Sequence, residues 1–206
     1  MATDRIDDQS RNTDLWLYDF PRHIATRFTF NPARDFNPLW SASGDRIVFS
    51  SARKTKHTDL YVKGTSGSSQ EELLTNFVDQ DKYPEDWSAD GRYVLFTTTD
   101  HPKTKNDLWI LPMVGERKPI PWLQTEFNEQ SATFSPDMRW IAYLSDESGK
   151  FELYVQPFIQ PDSQVQTRSL PRVQFSTGGS GVKWRNDGRA FFYTSNDKLM
   201  MAEIRP

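Results

Sequence analysis

Apolar and polar positions follow one repeating pattern along the chain. An aromatic residue stands at Trp40, Trp87, Phe134 and Trp184, at offsets of 47, 47 and 50 residues. Seven and nine positions after each lie apolar pairs: Ile47 and Phe49, Val94 and Phe96, Ile141 and Tyr143, Phe191 and Tyr193. A period of two places both members of a pair on one face of a β-strand. Between aromatic and strand the chain reads Ala-Ser-Gly-Asp, Ala-Asp-Gly-Arg, Pro-Asp-Met-Arg and Asn-Asp-Gly-Arg. Ser-Gly and Asp-Gly are hairpin signals, because glycine accepts positive φ without a Cβ clash. Met138 departs from that rule and predicts either mild strain or a different turn.

A further strand follows each hairpin, at TDLYVK (58–63), NDLWIL (106–111), FELYVQ (151–156) and DKLMMAEI (197–204). TDLWLYDF (13–20) is an orphan copy near the start. A last strand is expected at ATRFTF (25–30), EELLT (71–75), IPWLQT (120–125) and VQFST (173–177). Each unit is then four short antiparallel strands in about 47 residues, the period and strand count of a β-propeller blade. A four-stranded sheet with two apolar faces cannot bury both alone, and stacking on its neighbours solves this. A β-sandwich would not explain the period. The expected organisation is a polar tail over 1–12 and a propeller over 13–206. Within it lie a partial blade at 13–31, blades at 36–77, 83–125 and 130–177, and a partial blade at 180–206. The strand count runs two, four, four, four, three. Two late strands and three early ones give five for a single closing blade. Either one end strand stays unpaired in a small closed ring, or the chain is part of a ring of six to eight blades. The fragment is the favoured reading, and its open edges would allow self-association.

NPLWSASGDRIVFSS, YPEDWSADGRYVLFTTT and FSPDMRWIAYLSDESGKFELYVQPF resemble TolB-type, WD-like propeller repeats. The resemblance spans about residues 13–206. Ser43, Met138 and Arg185-Asn186 depart from the family pattern. It implies the fold and leaves the role open, since one fold hosts many functions. The wording is also similar to propellers attached to bacterial receptor Ser/Thr kinases and to the blades that accompany prolyl-oligopeptidase-type hydrolases.

Composition narrows the chemistry. The 206 residues hold no cysteine, which excludes disulfides, thiolate metal sites and cysteine nucleophiles. A net charge of −3 gives no global field for nucleic acid. No apolar run approaches the ~20 residues of a bilayer span, so membrane insertion is not expected. The first residues lack the basic flank and apolar run of a signal peptide. The compartment stays open between cytoplasm and periplasm. The aromatic share of 14% argues against disorder. No P-loop or kinase motif occurs, and GGSGV (178–182) fails the nucleophile-elbow pattern, reading instead as a loop between blades. His23, His57 and His101 are scattered and read as exposed loop residues. Asp79, Asp81 and Glu85 have only partial calcium-loop spacing and read as a solvated acidic loop. No cofactor or metal is expected.

Candidate contacts therefore lie on loops. RDFNP (34–38), QDKYP (80–84) and EFNEQ (126–130) enter the innermost strands. They bring Asp35, Phe36, Asn37, Lys82, Tyr83, Asn128 and Glu129 towards the channel mouth as a peptide or glycan site. ARKTKHTD (52–59) and HPKTKND (101–107) place Arg53, Lys54, Lys56, Lys103 and Lys105 on a basic rim suited to an anionic partner. The expected function is a non-catalytic scaffold for protein, peptide or small-ligand recognition. The alternatives are an accessory propeller of a peptidase or, last, a glycan-active enzyme.

Overall fold

In a computed structural model, the chain is described over residues 1–7, 11–53, 56–66, 70–77, 79–160, 170–175, 180–195 and 197–204. Among the described residues the regular elements are strands, in five antiparallel sheets of three or four. This is the blade architecture of a β-propeller. Among the described residues no helix is long and apolar enough to cross a membrane. The chain forms two compact units, Met1–Pro84 and Glu85–Pro206.

In the first unit, β1 (Ala2–Ile6), β2 (Thr13–Asp19) and β3 (Ile24–Arg27) form one sheet. β4 (Asp35–Trp40), β5 (Arg46–Ser51), β6 (Asp59–Gly64) and β7 (Glu72–Leu73) form the next, in that order. Leu15, Phe28, Ile47, Phe49 and Tyr61 make a shared core between these two sheets. The residues expected as a polar tail contain a strand: β1 pairs with β2 from Ala2↔Leu17 to Ile6↔Thr13. Four of its five residues are polar, charged or small, which suits an edge strand facing water and hides it from a search for apolar alternation.

β8 (Lys82–Trp87) starts in the first unit and leads a sheet with β9 (Tyr93–His101), β10 (Lys105–Pro112) and β11 (Ile120–Leu123). β12 (Glu129–Phe134), β13 (Trp140–Ser145), β14 (Glu152–Pro157) and β15 (Val173–Gln174) follow as a sheet, then β16 (Ser180–Trp184), β17 (Ala190–Ser195) and β18 (Lys198–Glu203). β16 takes up part of GGSGV, which the sequence reads as a loop; Gly178 and Gly179 lie outside the described residues. β13 shows why the units repeat. Ile141 and Tyr143 join a core with Leu95, Leu108 and Ile110 of the preceding sheet. Ala142 and Leu144, on the other face, join a core with Val182 and Phe191 of the following one. The middle strand reads as a continuous apolar run because it serves two cores.

The four turns share one geometry. The amide of Gly44, Gly91, Met138 or Gly188 donates to the carbonyl three residues earlier at 2.9 Å, and all four residues have positive φ. Met138 (φ 57°) keeps the glycine turn, so strain, not a new turn type, is the outcome; its side chain packs against the core of the Ile141 sheet. Ser88 and Ser135 clamp their turns by accepting the amides of Tyr93 and Trp140, both at 2.9 Å.

Candidate functional site

β4, β8 and β12 begin at equivalent positions, Asp35, Lys82 and Glu129. All three side chains are buried. Each lies near an acid within the first three residues of a strand in the preceding sheet: Asp14 of β2, Asp59 of β6 and Asp107 of β10, themselves buried. The sequence offered the first three as channel-mouth contacts; the structure turns them into the joints between repeats.

In the first unit, Arg27 holds Asp14 at 2.6 Å, and Arg53 forks onto Asp35 at 2.6 and 2.8 Å. Burial raises the carboxyl pKa of both aspartates, against the pull of their arginines. Arg53 also pairs with Glu71 and lies 4.4 Å from the Tyr61 ring centroid. Burial pushes Glu71 up, but Arg53 and Lys63 outweigh it and hold it below its ordinary value. Lys82 Nζ sits 2.9 Å from Asp59 and donates to the Gln80 carbonyl at 2.9 Å.

In the second unit an acid, Glu129, stands where Lys82 stands in the first. Asp107 accepts from Thr104 (2.8 Å) and Gln124 (3.4 Å), and Glu129 accepts from the Thr125 hydroxyl and amide. Burial first, then the nearby Asp107, raises Glu129 to about 7, while the Arg172 charge opposes them.

The remaining residues expected at a channel mouth keep accessible surface. Arg34 stands 4.4 Å over the Phe36 ring, which lies 6.0 Å from Tyr83 at 57°. Arg34 is exposed and both rings are half-buried. Asn37 follows on an exposed bulge at φ 52°, with Ser131 (55°) and Gly181 (67°) taking the same role in β12 and β16. The bulge turns Phe36 and Asn37 out of simple alternation. In the second unit Asn128 is tied to Asp146 through its amide (2.8 Å) and side chain (2.7 Å), and Lys105 lies 6.0 Å from the Phe127 ring.

Arg53 leaves the expected basic rim: its side chain is 11% exposed, drawn inward by Asp35 and Glu71. Lys56 is exposed and pairs with Asp79 at 3.0 Å. Lys103 and Lys105 are exposed, and Lys54 lies outside the described residues. The acidic loop is not simply solvated. Asp79 lies 3.0 Å from His57, which is tucked against it rather than free in a loop, and Asp81 accepts the Thr58 amide at 2.6 Å. Glu85 and Asp86 of β8 turn towards β12. Glu85 accepts from Thr97 (2.6 Å) and the Ser131 amide (3.2 Å); Asp86 accepts from Thr133 and the Phe134 amide, both at 2.8 Å. Burial raises both, with donors opposing it. Among the described residues no group of three or more histidines and acids is placed to hold a metal. Sequence reasoning missed Arg34, although it directly precedes Asp35 and Phe36 in the RDFNP segment.

The sequence matches no protein-family model and no curated protein. Solved structures do match. TolB from Acinetobacter baumannii aligns over 98% of this chain and 50% of its own, with a TM-score of 0.73 and 18% identity. A putative TolB from Agrobacterium tumefaciens aligns over 91% and 83%, with a TM-score of 0.65 and 14% identity. Prolyl oligopeptidase B from Galerina marginata, bound to a hydrolysis and macrocyclization substrate, aligns over 94% and 29%, with a TM-score of 0.66 and 10% identity. The chain has a TolB-like propeller fold and spans half the length of the Acinetobacter TolB.

Proposed function

We propose that this propeller is a non-catalytic recognition scaffold that binds a peptide segment of a partner protein at the Arg34–Phe36–Tyr83 surface. The observation that carries this reading is the division among residues entering the inner strands. Asp35, Lys82 and Glu129 are buried in the joints, whereas Arg34, Phe36, Asn37 and Tyr83 keep accessible surface beside one another. Two rings with a guanidinium over one of them offer apolar area, a cation and hydrogen-bond donors together, the composition of an interaction hot spot. The buried acids are engaged by donors within the fold, which leaves the loop residues as the accessible chemistry.

The test is to select 12-residue peptides from a displayed random library on the whole chain and measure their affinity for the Phe36→Ala and Tyr83→Ala variants. Each substitution is expected to weaken binding about tenfold or more. Peptides bound equally by both variants would overturn the placement. A second reading, a propeller that accompanies a peptidase domain, draws on the likeness to the prolyl oligopeptidase propeller. It predicts that the peptides selected on this surface are also cleaved by the full-length protein.

A further inference from the structure

The hairpin that joins β9 to β10 links one buried joint to the surface. Asp107, fully buried, lies 2.8 Å from the Thr104 hydroxyl, and that hydroxyl lies 2.6 Å from Nδ1 of the half-buried His101. The Thr104 amide donates to the same Nδ1 at 3.1 Å. His101 pairs with Lys105 across the hairpin, and Asp100 and Lys105 hold φ 62° and 61° on either side of the turn. Left-handed backbone at two non-glycine residues persists where surrounding contacts fix it, and this chain of polar contacts crosses the turn between them. The neighbouring hairpins carry no hydroxyl at that position: three residues before Asp59 stands Lys56, and three before Glu152 stands Gly149. The hydroxyl occurs beside the joint that holds the two acids Asp107 and Glu129.

A threonine hydroxyl has one proton, and this one has two partners. With Asp107 ionised, the hydroxyl donates to it, and the contact to His101 is filled only by a proton on Nδ1. With Asp107 protonated, the carboxyl donates to Thr104 Oγ1 and the hydroxyl turns to Nδ1. That nitrogen is then a bare acceptor, and the proton of the neutral ring sits on Nε2. An imidazolium also carries Nδ1–H and so favours the ionised Asp107. Across the joint, burial first and then Asp107 raise Glu129 to about 7, so the joint exchanges protons near neutrality. The Arg172 charge opposes that rise, and Arg172 is itself paired with Glu147 at 2.5 Å. On the hairpin the other charges are Asp100, Lys103 and Lys105, and the Lys105 charge reaches Asp146.

We propose that the Thr104 hydroxyl is a proton switch that couples the charge of Asp107 in the buried joint to the tautomer of His101 on the β9–β10 hairpin. An ionised Asp107 sets Nδ1–H on His101, and a protonated one sets Nε2–H. The proton leaves the joint in two steps. Asp107 passes it to Oγ1 as the hydroxyl proton passes to Nδ1, and the imidazolium so formed releases its Nε2 proton to water. The charge inside the joint is thereby read at the hairpin that carries the exposed Lys103 and Lys105. The switch is separate from the aromatic surface assigned above, and its test is independent.

The whole chain, isotope-labelled in its histidine nitrogens and aspartate carboxyls, is followed by NMR as pH is raised, with His23 and His57 as internal references. Neutral His101 is expected as Nε2–H while Asp107 is protonated and as Nδ1–H once it is ionised. The tautomer ratio is expected to change about tenfold or more between the two, the worth of one buried hydrogen bond. Thr104→Val keeps the shape and removes the hydroxyl, and is expected to show one tautomer ratio whatever the charge of Asp107. Thr104→Ser is expected to restore the coupling. Nε2–H beside an ionised Asp107, Nδ1–H beside a protonated one, or unchanged coupling in Thr104→Val overturns the proposal. The pairing of charge and tautomer in the parent decides by itself should Thr104→Val not fold.

Discussion

The joint at Asp59 and the joint at Asp107 occupy the same place in successive repeats and solve opposite problems. In the first, Lys82 neutralises the buried acid at 2.9 Å. In the second, Glu129 brings another carboxyl to the position, and burial, with a smaller push from Asp107, raises it to about 7. The joint at Asp14 lies between them in kind, with two acids and an arginine on each. One backbone geometry thus tolerates an ion pair, a pair of arginine clamps or two neighbouring acids held by neutral donors. What the fold requires there is a polar partner for the buried acid, rather than any one residue type.

The largest effect should come from breaking the compensated joint. Lys82→Met leaves Asp59 buried without its cation and should cost about 3–5 kcal/mol, lowering the melting temperature by roughly 10 °C. A loss no larger than that of an exposed lysine, measured by thermal and urea unfolding, would mean that Asp59 finds another partner.

The like-charged joint predicts a pH signature. The folded carboxyl of Glu129 has a higher pKa than its ordinary 4.5, so between about 4.5 and about 7 the folded state holds the extra proton. Its contribution to stability is fully present below that window and is lost as pH rises through about 7. Glu129→Gln keeps the shape and removes the titration. The stability of the variant relative to the parent should therefore climb steadily between pH 4.5 and 8 in urea unfolding. A constant difference would show that Glu129 is ionised throughout.

The smallest effect tests the turns that both joints share. Gly91 has φ 74° and open space around the position of a Cβ. Gly91→Ala should cost about 1–2 kcal/mol through backbone strain alone, read from the urea midpoint. Met138 already endures that conformation with a core contact in return, so the cost at Gly91 sharpens the account of Met138.

Much of the fold was legible in the sequence because its signals are local. An aromatic, a Gly at the turn and two apolar residues seven and nine positions on fix a hairpin without knowledge of distant contacts. The signals failed where a strand is short or polar. β7 pairs over two residues although a five-residue strand was expected at 71–75, and β1 hides in charged sequence. The site was less legible. A lysine in a loop-like segment reads as a surface charge, and only the fold brings Asp59 to Lys82 or Asp35 to Arg53 from 18 or more residues away. Phe36 and Tyr83 stand out in the sequence because they are aromatics beside Asn and Pro at a strand entrance. Arg34 was passed over because nothing local says that its guanidinium will lie over the ring two residues on.

The burial of Lys82 also gives the molecule a chemical clock. An amine modifies quickly only when reagent can reach its nitrogen, and this nitrogen is enclosed by Asp59 and the Gln80 carbonyl. Acylating reagents should mark Lys103 and Lys198 at once and Lys82 only when its joint opens. The lag between them times the breathing of a single seam in the working protein, without any label being added to it.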